Sequence, residues 1–373
     1  MKTDRMTYRW LWSCLIAGSL LLAGCTDRSE DETPHQGYMP EQGIPLKLGA
    51  VTRTDGATTY TGSQGIHVYL STGDNNVTEG TFTNTTIAGS DLNVKEESQY
   101  YLYGYMPSTI SATYAPPTSG KYSDGINLTF TNLPAMMTDD ICIVVGVQRE
   151  KEPSSTADLS KCEGYYGFIS GINNQNYVNL LMAHLYTGLE VKFMLDADYA
   201  KLRTIRLKSV TLKYTYGDNK VNATVNIQKD SQTGKGIVTP TFTKVSNSDA
   251  AQTFSLLKEK DEEVELNKNT TTSTTAVSLK QAFCAPRVFT DNTEITITSV
   301  YEVYDNKDKE NPLKNPQGGT SRTSVNKLDL TWSATQPAAP GKKKTILMTV
   351  MPTYLYILSD NDLDNPVITL SSE

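Results

Sequence analysis

The chain has 373 residues, 34 Lys and Arg against 41 Asp and Glu, and a formal net charge of −7. An acidic balance with no basic cluster excludes a nucleic-acid partner and gives no purchase on anionic lipid headgroups. Twenty-one tyrosines, frequent Thr, Asn and Gly, and the lack of long helical periodicity point to a β-rich fold.

In chain order, Lys2, Arg5 and Arg9 precede an apolar run from Trp10 to Leu22, which Ala23-Gly24-Cys25 closes with small residues before a cysteine. That is the pattern of a secretory signal over residues 1–24 with Cys25 as a lipidation site, a plain signal peptide being the alternative. The apolar run is too short to span a bilayer. Two or more acyl chains on Cys25, palmitate among them, at about 0.8 kcal/mol per buried CH2, would hold the protein at a membrane. Removal of residues 1–24 would leave 31 basic and 40 acidic residues, a charge of −9. Residues 25–40 begin with the acidic stretch Thr26 to Glu32 and read as a tether that cannot fold alone.

From residue 41 the pattern becomes that of strands. Over residues 43–51, Ile44, Leu46, Leu48 and Ala50 alternate with Pro45, Lys47 and Gly49, a half-buried strand with a proline suited to a sheet edge. A polar, turn-prone stretch from Ala50 to Gly56 follows, in which Arg53 is expected to be exposed to proteases. Further strands are expected at Ile66 to Leu70, Tyr100 to Met106, Ile126 to Thr131 and Ile141 to Val147. The longest alternation comprises Leu185, Thr187, Leu189, Val191, Phe193 and Leu195. After a short helical turn at Tyr199 to Leu202, strands are expected at Val210 to Tyr216, Val221 to Ile227, Ile295 to Tyr304, Leu328 to Trp332 and Ile346 to Met351. Lys258 to Thr275 and Asp305 to Gly319 read as surface loops. With no repeat of fixed period, the strands fit an all-β protein of two tandem antiparallel β-sandwich domains, at 41–177 and 178–373.

The sequence offers little catalytic chemistry. His35, His67 and His184 are its histidines, and none lies in an HExxH or comparable arrangement; no GxSxG elbow surrounds a serine, so no enzyme and no cofactor are expected. His184 shares parity with Glu190 on the solvent side, where a structural hydrogen bond is the default reading. Of the mature cysteines, Cys142 lies in an apolar strand as a buried thiol, a Cys142 to Cys162 bridge stays open, Cys284 is unassigned, and no spacing matches a zinc site. Asp360, Asp362 and Asp364 have the first oxygen spacings of a calcium loop without its glycine and glutamate, and read as a solvated turn. Tyr101, Tyr103 and Tyr105 share one strand face, where they either stack on sugar rings or pack against the sheet.

Three segments carry a family likeness: Tyr100-Tyr101-Leu102-Tyr103-Gly104-Tyr105-Met106-Pro107, Thr138-Asp139-Asp140-Ile141-Cys142-Ile143-Val144-Val145-Gly146, and Leu180-Leu181-Met182-Ala183-His184-Leu185-Tyr186-Thr187-Gly188-Leu189-Glu190-Val191. Their order and spacing, with the lipoprotein start, resemble the fimbrillins, the two-domain type V pilins of Bacteroidales-type bacteria. Tyr186, Thr187 and Gly188 stand where small or basic residues are more usual, which places the chain in a distant subfamily. The acidic stretch after Cys25 likewise resembles the signal that sends such lipoproteins to the outer face of the outer membrane. The resemblance implies transthyretin-like sandwiches and cleavage by an arginine-specific protease after Arg53, leaving Thr54 as the new N-terminus. Assembly with other fimbrial subunits would follow, by strand donation into the groove that the first strand vacates, supporting adhesion. Donor strands would come from the terminal segment 345–373, in particular Thr353 to Leu358 and Pro366 to Leu370; a terminal hairpin completing its own sheet is the alternative. The competing functions are a monomeric surface lipoprotein that binds glycan or a host ligand, and a tip or anchor subunit of the fibre.

Overall fold

The computed structural model of the protein describes residues 43–53, 64–74, 76–83, 89–152, 159–173, 175–247, 250–258, 263–291, 294–329 and 338–351. Turn residues cut its first half into β1 (Ile44–Arg53), β2 (Ile66–Ser71), β3 (Val77–Phe82), β4 (Gly89–Val94), β5 (Gln99–Met106), β6 (Ala112–Ala115), β7 (Gly125–Pro134), β8 (Met136–Met137), β9 (Cys142–Glu150), β10 (Gly167–Ile169) and β11 (Tyr177–His184). The second half gives β12 (Thr187–Leu195), β13 (Arg203–Thr215), β14 (Lys220–Lys229), β15 (Gly236–Lys244), β16 (Ala251–Leu257), β17 (Val264–Leu266), β18 (Val277–Ser278), β19 (Ala282–Cys284), α1 (Pro286–Asp291), β20 (Glu294–Asp305), β21 (Asp308–Pro312), β22 (Ser321–Asp329) and β23 (Lys343–Val350). The all-β expectation is met. The helical turn expected after Asp196 is a 3-10 turn at Tyr199–Lys201.

Strands β1 to β5 with β9, β10 and β11 make an eight-stranded sheet, A, and β6, β7, β14 and β15 a four-stranded sheet, B. Sheet C contains β8, β12, β18, β19 and β23; sheet D contains β13, β16, β17, β20, β21 and β22. Aromatic rings join A to B, with Tyr69 against Tyr114 at 4.6 Å and Tyr105 edge-on to Phe130 at 5.1 Å. Between C and D, Phe193 and Met348 line one cavity with Leu207 and Tyr301. The buried core runs continuously from Ile44 to Ile346, and the described residues belong to one compact unit. The expected boundary at 177/178 falls on the first residue of β11, a strand of sheet A. The hairpin of β14 and β15 lies beside β7, with Val225 opposite Leu128.

Two pairings depart from the antiparallel expectation: β1 runs parallel to β11, and β23 parallel to β12. In both cases the partners lie far apart in sequence, so no tight hairpin dictates their direction. Two segments read as loops contribute strands. In Lys258 to Thr275, β17 places Val264 opposite Leu207, and in Asp305 to Gly319, β21 turns back on β20. Short length hides both from a periodicity argument. β15 went unread because Pro240 interrupts it; the structure places it at the edge of sheet B, where a missing N–H costs no ladder bond. The strand expected at Leu328 to Trp332 begins earlier, as β22, and residues 330–337 lie outside the described ones.

Candidate functional site

The site that follows from the fold is the seat of β1. Its alternation buries Ile44, Leu46 and Leu48 at 1%, 0% and 3% exposure, while Pro45, Lys47 and Gly49 stay half-buried on the other face. Sheet A is ordered β3-β2-β5-β9-β11-β1-β4, so β1 is an interior strand, not the edge strand expected from Pro45. Its proline is tolerated because pairing with β11 begins only at Lys47, opposite Tyr177, so the missing N–H of Pro45 falls before that ladder starts.

Past Leu48 the register shifts. Leu48 lies opposite Val178 and Val51 opposite Leu180, so Gly49 and Ala50 together face Asn179 in a bulge. The Asn179 side chain fills that gap, its Oδ1 accepting the Ala50 N–H at 2.7 Å. A Cβ on Gly49 would lie 2.1 Å from the same Oδ1, so a larger residue there would force the Asn179 side chain to shift. The extra residue also corrects the expected core face: Ala50 is only half-buried, and Val51 takes its place against the core. The turn expected from Ala50 is strand instead, and β1 continues to Arg53, whose backbone pairs with Met182. Arg53 is the last described residue of β1, and Thr54 lies outside the described residues.

Burial of three large side chains at roughly 1.5–3 kcal/mol each ties β1 to its seat by about 5 to 9 kcal/mol before ordering costs. Its loss would strip the β11 edge. It would also strip β4, whose ladder partner is β1 through Ile44 opposite Val94 and Pro45 opposite Asn93. The far side of β4 rests on β3, where a Cβ on Gly80 would meet Leu92 Cγ at 2.7 Å. A vacated seat is thus a long apolar slot between the open edges of β11 and β4, a template for another strand.

At the other end of the chain, β23 forms an edge of sheet C along the whole of β12, from Gly188 opposite Lys343 to Leu195 opposite Val350. Ile346 is buried, Met348 and Val350 are half-buried, and Leu347 faces outward at 40% exposure. Glu190 pins the pair, accepting from Ser278 Oγ at 2.8 Å and Thr345 Oγ1 at 3.1 Å with Lys343 Nζ at 3.3 Å. Burial works to raise the Glu190 pKa, but these donors outweigh it and hold the carboxyl below its ordinary range. The donor segments from Thr353 onward, Asp360, Asp362 and Asp364, and Cys25 all lie outside the described residues.

The aromatic strand turns inward. Tyr103 and Tyr105 are 1% and 2% exposed, with hydroxyls donating to the carbonyls of Tyr122 at 2.5 Å and Ile110 at 3.0 Å, so these two are core residues and not a stacking platform. Tyr101 is half-buried and rims a cleft of about 210 Å³ with Gln99, Asp124, Tyr165 and Lys229. Sequence reading missed Tyr165, 44% exposed, whose ring lies 5.3 Å from the Lys235 ammonium.

Cys142, Cys162 and Cys284 are buried thiols, and the Cys142 to Cys162 bridge does not form. Burial pushes the Cys284 thiol well above its ordinary pKa. His184 is not on a solvent face shared with Glu190, because Leu185 and Tyr186 carry the chain from sheet A to sheet C between them. Its Nδ1 instead meets Asp140 Oδ2 at 2.5 Å, giving the structural hydrogen bond expected of it, and Cys142 Sγ donates to the same oxygen at 3.0 Å. The aspartate-led and histidine-led motifs therefore meet in space across 44 residues of sequence.

No family profile and no curated protein matches the chain. Among its solved neighbours are Bacteroides fimbrial and candidate cell adhesion proteins. A fimbrial protein from Bacteroides vulgatus shares 10% identity over 87% of this chain and 97% of its own, with a TM-score of 0.36. Candidate cell adhesion proteins from Bacteroides ovatus and Bacteroides fragilis share 11% and 9% identity, cover 88% and 89% of this chain and 96% and 95% of their own, and have TM-scores of 0.30 and 0.34. Among the described residues no helix is long and apolar enough to cross a membrane.

Proposed function

We propose that the protein is a non-enzymatic subunit of a surface fibre, delivered to the outer membrane as a lipoprotein through Cys25, matured by cleavage after Arg53 and polymerised by strand complementation in support of adhesion. The observation that carries this reading is β1 itself, an interior strand that buries Ile44, Leu46 and Leu48 in a seat between β11 and β4. Cleavage after Arg53 converts a covalent strand into a peptide held noncovalently, by side-chain burial and by its ladders to β11 and β4. Since Lys343–Val350 is already paired with β12, the donor is a neighbour's segment beyond it, within 352–373, and three or four apolar side chains presented in the same parity would recover a similar 5 to 9 kcal/mol, on roughly 1.5–3 each. The division into two sandwiches belongs to this proposal, with sheets A and B forming the acceptor.

The test is limited digestion of the lipid-free chain with a trypsin-like protease under native conditions, followed by N-terminal sequencing. Thr54 as the new terminus supports the proposal. A stable product that starts elsewhere, with Arg53 uncut, refutes it.

The cleft beside Tyr101 favours a second reading, a monomeric lipoprotein that binds glycan. Tyr101 and Tyr165 offer ring faces, and Asp124, Gln99 and Lys229 offer polar partners of the kind sugar hydroxyls use. Glycan binding by uncleaved monomer that Tyr101→Ala and Tyr165→Ala abolish would move the function there.

A further inference from the structure

We infer that Asp140, Cys142 and His184 form a site for a borderline-soft divalent cation of the Zn2+ class, independent of whether the chain assembles into a fibre. Sheet geometry builds the site. Cys142 and His184 are directly opposite each other on β9 and β11, and Asp140 precedes Cys142 by two residues, so all three project on one face. Their ligand atoms lie within 4.8 Å of one another, with Sγ to Nδ1 at 3.8 Å, Sγ to Oδ2 at 3.0 Å and Nδ1 to Oδ2 at 2.5 Å.

The donor set decides the class of ion. One thiolate, one imidazole and one carboxylate suit zinc, whereas magnesium and calcium take oxygen ligands. Tetrahedral bonds of about 2.3 Å to sulfur and about 2.0–2.2 Å to nitrogen and oxygen place neighbouring ligand atoms roughly 3.4–3.6 Å apart. The three separations bracket that value, so shifts of under about 1 Å, within reach of side-chain torsions, would seat the ion. Charge closes as well: a thiolate and a carboxylate together carry the −2 that cancels a divalent cation, which burial demands. On binding, the Cys142 thiol gives up its proton to solvent, and the proton shared by His184 Nδ1 and Asp140 Oδ2 leaves that contact so that the neutral ring carries its N–H on Nε2. Sulfur and Nδ1 each donate a lone pair to the metal, with no oxidation. The fourth position falls to water on the His184 side, where the ring retains 9% exposure; the side chains of Cys142 and Asp140 close the other sides. The sequence hid this site because its histidine lies 42 residues from its cysteine, and β9–β11 pairing alone brings them together.

The test uses the full soluble chain from Thr26, stripped with chelator and titrated with Co2+ as the spectroscopic probe and Zn2+ as competitor. One cobalt per chain, with a thiolate-to-cobalt charge-transfer band that Zn2+ bleaches, is expected. Cys142→Ser should remove the band, and His184→Ala should weaken binding at least tenfold, while Cys284→Ala leaves both unchanged. Asp140→Asn keeps a side chain of the same shape while removing its charge and should also weaken binding, which covers the case in which His184→Ala fails to fold. The parent chain alone is decisive: binding with no thiolate band, or no retained metal at all, overturns the site and leaves a hydrogen-bonded cluster only. A band that survives in folded Cys142→Ser overturns the assignment equally.

Discussion

Leu46→Ala separates the two lives proposed for β1. Leu46 is fully buried, so truncation removes its transfer energy and leaves a cavity, at a cost of about 2–5 kcal/mol in the uncut chain. After cleavage at Arg53 the same loss bears on a noncovalent peptide, whose release should speed up by roughly 30- to 4,000-fold at 1.4 kcal/mol per decade. Once the peptide has gone, the parent and variant chains are identical from Thr54 onward and must have identical stabilities. The assay is urea unfolding of uncut and cut chains together with mass spectrometry of the released 26–53 peptide over time. Equal release rates for parent and variant, or a stability difference that persists after the peptide has left, would refute the reasoning, because either would mean that β1 is not held by its buried face.

Other expectations follow from particular contacts. Gly49→Ala should destabilise the uncut chain by about 1–3 kcal/mol by driving a methyl into Asn179, and urea unfolding after complete release of β1 should show no effect. Tyr69, Tyr103, Tyr166, Tyr186 and Tyr214 have hydroxyls whose pKa burial raises far above the ordinary value of about 10. The unfolded chain therefore releases these protons first, so their contribution to stability should be constant below pH about 10 and fall above it, with phenolate absorbance of the buried rings and unfolding rising together. Phenolate absorbance that rises fully before unfolding would contradict this. Glu190→Ala should loosen β23, read as faster amide exchange over Lys343–Val350 with little change in β20.

Much of the fold was legible because its long strands obey one period. The alternation from Thr187 to Leu195 lies wholly in β12 with Thr187, Leu189, Val191, Phe193 and Leu195 buried, and Ile126, Leu128 and Phe130 are buried in β7 as read. What escaped reading has physical causes. A three-residue strand such as β17 carries no periodicity, and the bulge at Gly49 shifts parity by one residue, moving Val51 where Ala50 was expected. Strand direction is set by which distant segments meet, so neither parallel pair was visible. The site divided similarly: Ile44, Leu46 and Leu48 were read from alternation, whereas the meeting of Asp140 with His184 depends on β9 and β11 lying side by side. The inward turn of Tyr103 and Tyr105 depends on sheet B covering that face, which a strand read alone does not reveal.

The central claim is that the bond after Arg53 controls assembly. Parent and Arg53→Ala chains, treated alike with trypsin-like protease, should be compared by light scattering and by electrophoresis without heating. The parent should give a ladder of detergent-resistant multimers and Arg53→Ala should stay monomeric. Equal polymerisation of the two, or a cleanly cut parent that remains monomeric at high concentration, would contradict the account.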